Sequence, residues 1–251
     1  MISRIQQSSL DKGFFLEKAP YKGLTNGKKI NFKDKIIHKP WGCEYLFYAG
    51  NLVEIWYLSI NYLKATSLHC HPNKKTALLI LEGRAIFSTL DRTIELSPSD
   101  GLIISPGAFH STKATSLEGV KLLEFESPPM KYDLLRIEDD YGRVNQGYEH
   151  KNFTKINGNH VRLLDGEFNN EKKIHSNNIA LYHLGNYKDL EKVLLKKPKV
   201  ISILNGNIVL RGSQKYSTCD MLDVQNLLDH NFDVNDSIIL SVSSVNQIWG
   251  Q

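Results

Sequence analysis

Two histidines one residue apart, His69 and His71, open the stretch HCHPNKKTALLILEG, and a third, His110, closes PGAFH. On an extended strand, side chains two residues apart leave the same face, roughly 7 Å apart along the backbone. The two imidazoles can therefore converge on one ion. His110 follows a tight Pro106-Gly107 entry that announces another strand. Three imidazoles from two neighbouring strands suit one borderline divalent metal: zinc first, with manganese, nickel and iron as alternatives. Cys70, between the pair, should point to the opposite face and pack as a thiol.

Moving a proton on a carbon skeleton beside such an ion requires a base. Glu124 and Glu126 share one face of KLLEFES by the period of two, and a carboxylate buried beside the ion gains a raised pKa. They are the catalytic candidates. Lys74, Lys75 and Arg84 could meet a phosphate at the mouth of the site, and Thr76 offers a hydroxyl facing it, so Thr76, Lys75 and Arg84 are the substrate-binding candidates.

The elements that must position these residues are strands. CEYLFYAGN, LVEIWYLSIN, ALLILEGRAIF, GLIISPGAFH and KLLEFES are β-favouring runs between Gly, Asn, Asp and Pro breakers. The exception is DLEKVLLKK (189–197), which reads as a short helix. An all-β barrel or sandwich follows. A repeat is also visible. ALLILEGRAIF (77–87) lines up with VISILNGNIVL (200–210), placing Gly83 on Gly206; NLVEIWYLSIN (51–61) echoes NNIALYHLGN (177–186); SDGLIISPGAFH (99–110) lines up with NDSIILSVSSVN (235–246), placing Asp100 on Asp236. These matches divide the chain into an N-terminal arm (1–35), a metal-binding unit (36–150) and a second, degenerate unit (151–251). In the second unit His69 and His71 fall on Lys192 and Leu194, and His110 on Asn246, so no transition-metal site is expected there.

Composition bounds the function. The 251 residues carry 31 basic and 27 acidic side chains, too balanced for a nucleic-acid binder that relies on counterion release. No apolar run approaches the length of a membrane span, and MISRIQQSSLDKGFF lacks the pattern of a secretory signal, so a cytoplasmic protein is expected. Cys43, Cys70 and Cys219 are widely spaced and suggest neither disulfides nor a cysteine metal cluster.

The spacing of His69, His71 and Gly83, with Gly107 and His110 in the second block, resembles the two motifs of the cupin superfamily. The resemblance implies two jelly-roll barrels (double-stranded β-helices), the second degenerate, and dimerisation through strand exchange or sheet packing. More narrowly, KPWGCEY, TSLHCH, LLEFES and DLLRIEDDYGR, within residues 36–145, look like the cupin domain of type II mannose-6-phosphate isomerases. That implies metal-dependent isomerisation of a phosphorylated sugar, in carbohydrate or surface-polysaccharide metabolism. Thr76 stands where the superfamily has a glutamate ligand. Without that carboxylate, three neutral imidazoles leave the ion more positive, which favours an anionic ligand. Two other readings are a three-histidine iron dioxygenase and a non-catalytic protein that binds a sugar or nucleotide-sugar.

Overall fold

The computed structural model describes residues 1–17, 31–144, 146–158, 160–210, 214–224 and 232–245. Part of the N-terminal arm (18–30) and Asn246, the expected counterpart of His110, lie outside these residues. The fold is an all-β jelly roll backed by a further sheet. Its main layer is an eight-stranded sheet in the order Ile2–Ile5, Gly101–Ile104, Lys75–Glu82, Val120–Ser127, Glu54–Ile60, Gly42–Ala49, Lys35–Lys39 and Phe153–Lys155. This sheet draws in a strand from each side of the 36–150 stretch. Facing it are Ser111–Ala114, Ala85–Ser88 and Thr93–Leu96, with the pair Leu135–Glu138 and Leu68–Cys70. Isolated bridges, His69 to His110 and Ala65 to Lys113, stitch the smaller sheets together.

Strand alternation explains how the central sheet is buried on both faces. Leu78, Ile80, Leu58, Ile60, Leu102 and Leu122 point into the barrel and pack with Trp56 and Phe87. Their neighbours Ala77, Leu79, Leu81, Ile55, Tyr57, Ile103, Leu123 and Phe125 point out. Against this outer face lies a six-stranded sheet from the second half, through Ile179, Leu181, Val200, Leu204, Met221, Leu240 and Val242. The other face of that sheet carries the helix Tyr187–Leu194 through Leu190 and Val193. Asn186 caps this helix by accepting from the Lys188 amide at 2.9 Å. The helix stops three residues short of the sequence expectation, and Lys192 and Leu194 sit on it rather than on a strand.

Strand order repeats between the halves. Asn177–Leu184, Phe232–Ser244 and Val200–Leu210 lie side by side in that order, as do Glu54–Ile60, Val120–Ser127 and Lys75–Glu82. Gly83 and Gly206 both take left-handed φ, +79° and +80°. The match of Asp100 to Asp236 is corrected by the turns. Asp100 accepts from the Ser97 amide and its carbonyl binds Ile80 N; the same two bonds join Asp220 to Ser217 and to Ile203 N. Asp220 is thus the counterpart of Asp100, and the 232–244 strand holds the place of 120–127, not of 101–104. A further helix, Ser9–Glu17, was not evident from sequence, because Gly13 and two phenylalanines weaken its pattern. No described helix is long and apolar enough to cross a membrane.

Candidate metal centre

His69 and His71 sit at and just beyond the short strand Leu68–Cys70, and His110 just before Ser111–Ala114; the bridge between His69 and His110 closes the group. Their ligand atoms lie within 4.8 Å of one another. Each ring is anchored by its Nδ1, against the carbonyl of Ser67 (2.7 Å), Asp133 (2.6 Å) or Ala108 (3.0 Å) respectively. An Nδ1–H donating to a carbonyl fixes the tautomer that leaves Nε2 basic and free to ligate. His71 Nε2 is buried without a hydrogen-bond partner. Such an orphan is costly unless something fills the space before it. His110 also stacks on Phe87, at 5.6 Å between ring centroids.

Burial removes the proton from all three rings. It holds His69 and His71 well below the ordinary imidazole value, with help from the neighbouring rings and Lys74, and brings His110 to about 4. Neutral imidazoles are the form a metal needs. Ligands about 2.1 Å from a tetrahedral ion stand ~3.4 Å apart, so small ring movements would complete the cage. The residues present therefore fit one divalent cation.

Glu124 and Glu126 both face inward and are buried, at 7% and 1% exposure. Their situations differ. Glu124 Oε1 is 3.8 Å from His71 Nε2, and burial pushes its carboxyl above the ordinary range against the pull of Lys131. Burial would also raise Glu126, but Lys131 and Lys74, at 3.1 and 3.0 Å, outweigh it and hold the carboxyl low. Thr76 lies opposite Glu126 on the adjacent strand, 1% exposed, its hydroxyl without a partner. The carboxylate beside His71 thus comes from position 124, while position 76 presents a hydroxyl.

The other two substrate-binding candidates lie elsewhere. Lys75 alternates to the outer face, where its ammonium binds Asp220 of the second half at 2.8 Å. Arg84 is exposed past the Gly83 turn, eight residues from Thr76, ~25 Å along extended chain. The cations that do line the pocket are Lys39, Lys74, Lys131, Arg136 and Arg143, against Glu44, Glu124, Glu126 and Glu149. Lys131 bridges Glu44, Glu124 and Glu126, and lies 3.9 Å over the Trp56 ring. Burial alone would lift the Glu44 carboxyl, but Lys131, Lys39 and the Tyr148 hydroxyl bring it down to about 2. Arg136 and Arg143 are spent on Glu149, Asp139 and the carbonyls of the 143–147 segment. Sequence reasoning missed Lys39, Lys131 and Glu44, since a charged residue in a single sequence reads as surface. Cys70, as expected, is fully buried, and burial pushes its thiol up.

No protein-family model and no curated protein matches the chain. Solved structures do, over less than half of the chain. KdgF from a Halomonas species is 13% identical, covering 36% of this chain and 82% of that one, with a TM-score of 0.34. A cupin-2 domain protein from Rhodospirillum rubrum gives 17%, 44%, 80% and 0.36, and the DMSP lyase DddQ from Ruegeria pomeroyi 17%, 45%, 58% and 0.34. Similarity at this level carries no functional argument.

Proposed function

We propose that the chain is a metal-binding cupin that isomerises a phosphorylated sugar, working in cytoplasmic carbohydrate or surface-polysaccharide metabolism. The observation that carries the reading is the Glu124 carboxylate facing the unpaired nitrogen of His71 across a pocket ringed by lysines. His69, His71 and His110 would hold the ion, which supplies Lewis-acid polarisation of a carbonyl. Glu124, raised by burial, takes the proton from the carbon next to that carbonyl and returns it to the neighbouring carbon. Lys131 stands 3.6 Å from Glu124 and steadies it as it gains and loses charge. Lys74 and Lys39 offer the anionic end of the substrate a positive wall once their own carboxylates share them.

The test begins with metal content, measured on protein purified without chelator. Near one zinc, manganese or nickel per chain, lost in His71→Ala and His110→Ala, is expected. Glu124→Gln should keep the metal and lose at least about 100-fold in turnover of hexose phosphates. Full activity in that variant would reject the role given to Glu124. Three imidazoles with threonine at position 76 favour one second reading, an iron oxygenase; iron at one per chain would put it first.

A further inference from the structure

The first 17 residues lie along the segment that carries His110. Ile2–Ile5 runs parallel to Gly101–Ile104 as an added edge strand. Beyond it Ser105 N donates to the Ile5 carbonyl at 2.9 Å and Ser105 Oγ to Gln6 Oε1 at 2.8 Å. Gln7 covers Gly107 so closely that a Cβ there would stand 2.4 Å from its amide nitrogen. The helix Ser9–Glu17 then begins, and Phe14 meets Phe109 edge-on at 6.4 Å between centroids.

Asp11 joins this arm to the site. Only 3% exposed, it uses one carboxylate oxygen as helix cap and the other as a tie: Oδ2 accepts from Ser8 N and Ser8 Oγ, both at 2.7 Å, and Oδ1 accepts from Phe109 N at 3.0 Å. A cap needs only the first oxygen. The second holds the amide of the residue directly before His110, whose own amide and carbonyl pair with His69. Gly107 N in turn donates to the His71 carbonyl at 2.8 Å. The loop is thereby pinned to both other histidines from within and to Asp11 from without.

We propose that Asp11 is a positioning residue for the metal centre, setting His110 through Phe109, so that the N-terminal arm belongs to the site's outer shell. The inference rests on the metal-binding reading above. Outer-shell partners of ligating histidines typically govern 10–100-fold in metal affinity. The experiment uses the full metal-free chain titrated with Co²⁺, followed by its absorption bands, and with Zn²⁺ against a competing chelator. Asp11→Ala should weaken both by about 10–100-fold and shift the cobalt bands. Asp11→Asn, which retains an acceptor, should restore most of the affinity. Ser8→Ala, which removes the hydroxyl bond to Oδ2 and leaves the Ser8 amide bond in place, should give a smaller loss and keeps the question open to test where Asp11→Ala fails to fold. Arg4→Ala separates docking of the arm from positioning, since it breaks only the 2.9 Å pair with Asp220 at the arm's other end. It should lower the thermal midpoint of the metal-free protein and leave affinity unchanged. Wild-type affinity and spectrum in both Asp11→Ala and Ser8→Ala, or an equal loss in Arg4→Ala, would overturn the proposal while the metal site stands. No metal uptake by the unaltered chain would remove the site reading, and this proposal with it.

Discussion

Asp133→Ala should be among the costliest single changes in the chain. The side chain has 0% exposure, and its carboxylate organises the turn after His71: Oδ2 accepts from the amides of Asn73 at 2.8 Å and Lys74 at 2.9 Å, and Oδ1 from the Asn73 side-chain amide at 2.8 Å. A hydrogen bond to a charged group contributes ~1.5–3 kcal/mol, and a buried donor left alone costs about 1–3 kcal/mol. The Asn73 side chain can swing to water, whereas the two backbone donors cannot. Counting those two alone gives a loss of about 3–5 kcal/mol, or a fall in Tm of roughly 6–20 °C for a domain of this size. Asp133→Asn, keeping one oxygen in the turn, should cost about 1 kcal/mol. The assay is urea unfolding at equilibrium on metal-free protein, with calorimetry for Tm. Because His71 Nδ1 is anchored on the Asp133 carbonyl, displacement of this turn should also weaken metal binding about tenfold. A loss below about 1 kcal/mol for Asp133→Ala, or equal losses for Ala and Asn, would refute the assignment of the carboxylate as the organiser of the turn.

Glu44, with a folded pKa of about 2 against an ordinary 4.5, contributes stability fully present above pH 4.5 and lost as pH falls toward 2, on the order of 3 kcal/mol in all. Glu44→Gln should flatten acid unfolding across that interval, and an unaltered acid limb would count against the Lys131 and Lys39 pairing. Lys75→Met should cost only about 1 kcal/mol, because the lysine is partly exposed and Arg4 still serves Asp220, and should leave metal affinity untouched; a weakened metal site would return Lys75 to the pocket. Gly83→Ala places a Cβ 2.0 Å from the Gly119 carbonyl oxygen at a φ of +79°, so a loss on the order of 2–4 kcal/mol is expected in thermal melts, and a neutral outcome would mean that the turn yields freely.

The histidine constellation was legible because it follows local rules: a period of two, and a Pro-Gly turn before the third ring. That Glu124 and Glu126 share one face was legible for the same reason; that the face is the inner one is decided by their burial beside His71 and Lys131. Local rules fail where position depends on distant pairing. Lys75 and Thr76 are neighbours in sequence, yet alternation sends one to Asp220 and the other into the barrel. Arg84 is near the histidines in sequence and a full strand length away in space. Asp11 reads in sequence as a helix-cap residue and Asp133 as the first residue of DLLRIEDDYGR; what neither pattern shows is which amides, about 60 to 100 residues away, reach their oxygens. The second half shows the same limit. Gly83 and Gly206 do share a left-handed turn, but Asp100 was matched to Asp236, and only the hydrogen bonds of the Ser217 to Asp220 turn put Asp220 in that place.

The six-stranded sheet that lies against the barrel's outer face gives the chain a built-in partner. A lone barrel would present Tyr57, Leu79, Phe125 and their neighbours as a broad apolar surface open to any second copy. Here that surface meets a sheet on the same polypeptide, at an effective concentration on the order of millimolar or above. Dilution therefore cannot expose it; only unfolding, or a cut in the connection between residues 156 and 171, turns this contact into one that concentration governs.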